Sequence, residues 1–160
     1  MTGCLQHGCF NRRGCPDGCK DGDVSRYPQA YRGGHLVIVI DCYDLDRSAQ
    51  FWASLLGYAR NGPPGGPYQG LVPADGRGIE ILLHRVPETK SGKNRLHLDL
   101  RTTDLVTEVE RAIALGASAV TKQPAAEAGW HWHILADPDG NEFCILQPPP
   151  AYWRTQGTSP

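Results

Sequence analysis

The apolar positions of this chain fall into two similar runs. Residues 35–57 (HLVIVIDCYDLDRSAQFWASLLG) and 95–116 (RLHLDLRTTDLVTEVERAIALG) each pass from an alternating stretch through Asp-Leu into a helical pattern that stops at glycine. Asp44-Leu45 and Asp104-Leu105 lie 60 residues apart, the mark of one supersecondary unit used twice. In the first run Leu36, Ile38 and Ile40 alternate with Val37 and Val39, so both faces are apolar and a central strand is expected. Asp44 and Asp46 place an N-cap and a first-turn acid ahead of a helix. Its buried stripe holds the i,i+4 pairs Phe51/Leu55 and Trp52/Leu56, and Gly57 suits the position just past its end. In the second run Leu96, Leu98 and Leu100 alternate with His97, Asp99 and Arg101, a one-sided strand. Leu105, Val109 and Ile113 then form a helix stripe that ends at Gly116.

Asn61–Pro67 (NGPPGGP) has loop chemistry, and short strands are expected at Tyr68–Val72 and Gly78–Arg85. A polar connection, Val86–Asn94, joins the two copies. Strands also fit Ser118–Lys122, Trp130–Ala136 and Glu142–Gln147. Asp137-Pro138-Asp139-Gly140 supplies a tight turn between the last two. The expected order is β-α-β-β-β twice, an α+β fold of two βαβββ modules at about residues 35–90 and 95–147. Two copies of one unit can face each other across a shared cleft. Residues 148–160 read as an extended or frayed tail.

Composition adds bounds. At 160 residues and 17.5 kDa a single folded domain is the expectation, and a net charge of −1 gives no field for nucleic acid or anionic membrane. There is no apolar run of membrane-spanning length and no signal-peptide core at the start, so a cytoplasmic location is expected. Four of the six cysteines, Cys4, Cys9, Cys15 and Cys19, fall in the first 19 residues with His7 among them. Their spacing departs from the tight pairs of a structural zinc site. Residues 1–34 lack hydrophobic periodicity and are read as a disordered extension, with a small zinc knot or redox-active tail as the alternative.

The duplicated βαβββ pattern, the helix FWASLLGY, the strand RLHLDL and the turn DPDGNEF together resemble the vicinal oxygen chelate superfamily, in its glyoxalase-like and bleomycin-resistance-type branch. The resemblance spans about residues 35–147. It implies a cup-shaped mixed sheet curled around a small-molecule site. In the enzymes it also implies one divalent metal held by four side chains, one from each of four strands. A fold does not supply chemistry by itself, so each position has to be matched here.

The match is clearest at His97, which faces away from Leu96, Leu98 and Leu100 and so into the cup. Glu80 falls where the family's second ligand lies, with His84 on the same strand face. At the other two positions the resemblance places Val37, which cannot coordinate, and Cys144, whose thiolate would favour zinc. His35 and Glu142 stand two strand residues from those positions, roughly 6.6 Å away, too far for a side chain to make up. The metal candidates are therefore His97, Glu80 and Glu142, with the quartet incomplete. If an ion is held, it is one divalent metal such as zinc, manganese, nickel or iron.

Trp130-His131-Trp132-His133 alternates on a strand. With the histidines inward, they would join His97 in a non-standard metal site. With the tryptophans inward, which is the orientation favoured here, they wall an aromatic pocket suited to a flat or cationic ligand. The expected substrate pocket is His84, His97, Asp99, Trp130, Trp132 and Cys144. The sequence holds no phosphate-binding glycine loop and no serine nucleophile elbow. Cys42 and Cys144 read as buried small hydrophobes. The expectation is a protein that binds a small organic molecule, with a homodimer as a possible assembly. The alternatives are a metal-dependent lyase, isomerase or small-molecule transferase, and a non-catalytic interaction domain.

Overall fold

The structure, a computed structural model, describes residues 36–156. The cysteine-rich segment and His35 lie outside the described residues. The first half comprises β1 (Val37–Cys42), α1 (Leu45–Leu56), β2 (Tyr58–Asn61), β3 (Tyr68–Pro73) and β4 (Glu80–Arg85). The second comprises β5 (Asp99–Arg101), α2 (Leu105–Ala114), β6 (Ser118–Ala119), β7 (Ala125–Glu127), β8 (Trp130–Ala136) and β9 (Glu142–Gln147), followed by α3 (Pro150–Gln156). Each half makes one mixed sheet: β1-β4-β3-β2 in the first, and β5-β9-β8-β6 in the second with β7 also on β8. In both, the strand before the helix pairs in parallel with the last strand, and the remaining pairs are antiparallel. The fold is thus α+β with two modules of the same strand order, and among the described residues no sheet closes into a barrel.

The helices start and stop where local chemistry requires. The Asp44 side chain accepts from the Arg47 backbone N–H at 3.1 Å, and Asp104 accepts from Thr107 N–H at 3.1 Å. Each satisfies a donor that the first turn leaves unpaired. Gly57, at φ +68, closes α1 in the left-handed region, where a side chain would be strained.

The core lies between the helices and the facing sides of both sheets. Phe51 and Trp52 of α1 meet Phe143 of β9 at ring-centroid distances of 5.9 and 5.2 Å, so one helix from the first half packs on the sheet of the second. Leu71, Leu83, Leu135 and Ile145 are fully buried around them. Each such side chain contributes about 1.5–3 kcal/mol by leaving water.

Several sequence expectations are corrected. β1 is an edge strand, not a central one, because β4 covers only one of its edges; Val39 is 56% exposed on the face away from α1. The one-sided strand begins at Asp99, and Leu96, 73% exposed, does not lie beneath the helix. On α2 the inward position is Ala112, fully buried, whereas Ile113 is 46% exposed; the core face follows the i, i+4, i+7 spacing of Leu105, Val109 and Ala112. β2 and β7 were missed, since YARN and AAE carry little apolar signal and are held by pairing to β3 and β8. Within the segment expected to be an extended or frayed tail, Pro150–Gln156 form α3. Pro150 suits the first turn of a helix, having no N–H that needs a partner there.

Candidate functional site

The pleat of the second sheet sorts its residues. On β9, Phe143 and Ile145 face the core, so Glu142, Cys144 and Leu146 face the other way. Asp99 of β5 stands opposite Cys144, which stands opposite Ile134 of β8. One step along, Leu146 stands opposite Trp132, and on the outer side Glu127 of β7 stands opposite Trp130. These rows make an open recess of about 460 Å³. Its floor is Cys144, Ile134 and Leu146, both tryptophans line it, and His97, Asp99 and Glu127 reach its edge. Of the six residues expected to share a pocket, five border this recess: His97, Asp99, Trp130, Trp132 and Cys144. The tryptophans share its face. The other histidines point away, with His133 Nδ1 3.3 Å from the Thr121 hydroxyl.

His84 does not join them. It lies on β4 of the first sheet, opposite Asp41 in one direction and Tyr68 in the other. Its Nδ1 is 3.1 Å from Asp41 Oδ1, and its ring stacks on Tyr68 at 4.5 Å. Those two cross-strand neighbours hold it, and neither could be read from local sequence.

α3 packs beside Trp130. The Tyr152 ring meets Trp130 edge-on at 5.2 Å, and Arg101 donates to the Tyr152 hydroxyl at 2.6 Å with its guanidinium 5.1 Å from the ring centre.

The metal expectation can be tested on the donors. Glu80 stands on the first sheet, opposite Val37, whereas His97 and Glu142 belong to the second half. Among the described residues, no three His, Cys, Asp or Glu side chains come together in a way that could hold an ion. Burial, reinforced by the neighbouring Asp99 carboxylate, pushes the Cys144 thiol up to about 11, which disfavours the thiolate a metal needs. Cys42 is likewise pushed up to about 11, mainly by burial. With valine at position 37 as well, these residues do not fit a divalent metal of the superfamily's kind.

The DPDGN segment does something sequence reasoning missed. Asp137, 3% exposed, accepts from the backbone N–H groups of Asp139 and Asn141 at 2.9 and 2.8 Å. Its other oxygen accepts from the Trp52 indole at 3.0 Å and from Asn141 Nδ2 at 3.1 Å. Asp139 accepts from Tyr43 N–H and from Arg47 at 3.1 Å each, and from the buried Ser48 hydroxyl. The Asn141 amide also donates to the Asp41 carbonyl at 3.0 Å. The turn therefore clasps the β1–α1 junction of the first half. Arg111 adds a second clasp, donating to the carbonyls of Ser54 and Leu55 at the end of α1 at 3.2 and 2.9 Å, where the helix dipole favours a cation. Burial pushes the Asp137 carboxyl above the usual range, against the pull of its hydrogen bonds. The only advance signal was a turn with more acid and amide groups than a turn requires.

This architecture is that of the vicinal oxygen chelate superfamily. Within it, residues 37–146 match the model of the glyoxalase-like domain family, and the chain belongs to that family. No curated protein matched the chain. Among solved structures, a glyoxalase/bleomycin resistance protein/dioxygenase family enzyme from Burkholderia phytofirmans is 21% identical, with a TM-score of 0.57 over 69% of this chain and 95% of that one. The fosfomycin resistance protein FosX from Listeria monocytogenes is 14% identical, with a TM-score of 0.59 over 76% and 98%. A glyoxalase/bleomycin resistance protein/dioxygenase from Nocardioides is 17% identical, with a TM-score of 0.59 over 79% and 90%. At these identities the likeness establishes the fold alone. Among the described residues, no helix is long and apolar enough to cross a membrane.

Proposed function

We propose that this protein binds a planar small organic molecule in the second-half recess without the help of a metal. The observation that carries the reading is the placement of Trp130 and Trp132 on one face of β8, over an apolar floor and beside His97 and Asp99. Residues two apart on a strand are separated by roughly 7 Å, about twice the contact distance between stacked carbon atoms. The pair can therefore take one flat ring between or across them. Burial and the neighbouring Asp99 carboxylate raise the Cys144 thiol at the floor to about 11, which disfavours a free thiolate nucleophile there at neutral pH. No observation among the described residues favours a metal-dependent lyase, isomerase or transferase over this reading.

The test is titration of the full chain with quinoline, a neutral planar probe, followed by the indole N–H signals in NMR spectra. Binding is expected to shift the Trp130 and Trp132 signals, to be indifferent to EDTA, and to be lost in W132A. A response that EDTA abolishes, or one that survives W132A unchanged, would overturn it.

A further inference from the structure

Tyr152 does not line the recess, yet the chain is arranged to bring it against a residue that does. Pro148, Pro149 and Pro150 follow directly on Gln147, the last residue of β9. Each proline fixes its φ and lacks an N–H, so the ladder stops and the chain leaves in a set direction. Pro149 settles on the two-residue tip of the β7–β8 hairpin, where Ala128 and Gly129 both have positive φ. A side chain on Gly129 would begin 3.4 Å from Pro149 Cβ. The Tyr152 N–H then donates to the Pro149 carbonyl at 2.8 Å, and this turn carries the Tyr152 ring to the edge of Trp130, with an angle of 65° between the ring planes. Two more contacts hold the tyrosine. Trp153 meets its ring at 5.3 Å, and Arg101 of β5 donates to its hydroxyl. Arg101 shares a cross-strand row with Leu146 and Trp132, so Tyr152 is fastened to the sheet that carries both tryptophans.

We infer that Tyr152 is a positioning residue for the recess: its ring fixes the Trp130 indole in the orientation that receives a planar ligand. This rests on the reading of the recess as a binding site and assigns what organises that site. An indole near the end of a strand can turn about two side-chain torsions. An edge-to-face neighbour restricts that turning in a favourable ring geometry. Freedom already given up in the unliganded protein is not lost again on binding, and immobilising one such side chain weakens an affinity by about threefold to tenfold. The ring edge is the part that acts on Trp130, while the hydroxyl serves to tie the ring to Arg101.

The experiment uses the full chain with Tyr152→Ala, Tyr152→Leu and Tyr152→Phe. Nitrogen-15 relaxation of the indole N–H groups, recorded without ligand, reads the motion of Trp130, and calorimetry with quinoline reads affinity. Y152A should loosen the Trp130 indole and weaken quinoline binding by about threefold to tenfold. Y152L keeps apolar bulk beneath α3 without a ring edge; it should show the same loss, which guards against an unseated helix as the cause. Y152F should keep Trp130 rigid and retain most of the affinity. A Trp130 indole as rigid in Y152A and Y152L as in the native chain, an affinity that both leave unchanged, or a loss that Y152F shares in full would overturn the inference and leave the binding site standing. Failure of the native chain to bind quinoline would overturn the binding reading itself, and this inference with it.

Discussion

Replacing Asp137 with alanine tests whether the β8–β9 turn joins the two halves energetically as well as geometrically. The carboxylate accepts four hydrogen bonds at 2.8–3.1 Å. Without it, Asn141 and the turn N–H groups, which are only half buried, can turn to water. The Trp52 indole cannot, because its side chain is 1% exposed. An unsatisfied buried donor costs about 1–3 kcal/mol, and hydrogen bonds to a charged group are worth about 1.5–3 kcal/mol each before the burial of that charge is subtracted. That subtraction is real here, since burial raises the carboxyl's pKa. The net loss should be about 2–4 kcal/mol, a large share of the roughly 5–15 kcal/mol typical of a domain. The sign of the pH dependence follows. A carboxyl that holds its proton more tightly when folded contributes most below the ordinary aspartate range, and that contribution falls as pH rises through the folded pKa. The penalty for D137A should therefore be larger in mild acid than at neutral pH. Urea unfolding followed by circular dichroism measures it. A cycle with W52F, which removes the indole N–H and keeps an aromatic ring, isolates the pair, with an expected coupling of about 1–2 kcal/mol. Additivity of the two variants to within about 0.5 kcal/mol would refute the argument.

Other expectations follow from single sites. F143A should cost about 3–5 kcal/mol, because the ring fills the contact between α1 and the second sheet; a loss below about 1 kcal/mol in urea unfolding would contradict that packing. D44A should cost about 1 kcal/mol through the lost N-cap, measured the same way. The Asp104 carboxyl is held below the usual range by the Thr107 hydroxyl and N–H. Its stabilising contribution should be present above the ordinary aspartate range and fade as pH falls through the folded value, visible as convergence of native and D104N melting curves in acid. Cys42 and Cys144, both pushed up to about 11, should react slowly with iodoacetamide at neutral pH. Peptide mapping should show their labelling rising steeply as the pH approaches that value, and rapid labelling at neutral pH would show that the thiols are not so shifted.

Much of the fold was legible because its signals are short-range. Asp44, Gly57 and Asp104 fix helix ends through bonds spanning three or four residues, and period-two alternation in WHWHILA and EFCILQ assigned each residue a face. The aromatic recess was partly legible for the same reason. Once Leu135 is taken as core, Trp130 and Trp132 must share the opposite face. His84 was misplaced because strand alternation gives its face and says nothing of which cross-strand neighbours will hold it. β2 and β7 were invisible because their own residues contribute little burial, and their strands exist through the partners they meet.

The sequence by itself determined the two helix–strand units, their caps and turns, and a valine at position 37 that cannot coordinate a metal. All of these depend on residue type and near neighbours. Only the tertiary structure decided that β1 is an edge, that α1 packs on the second sheet, that α3 turns back to meet Trp130, and that the DPDGN turn clasps Trp52 and Ser48. Those contacts join residues 22–92 positions apart in the chain. At such separations no local pattern encodes the partner, and the choice is made by which surfaces can be buried together.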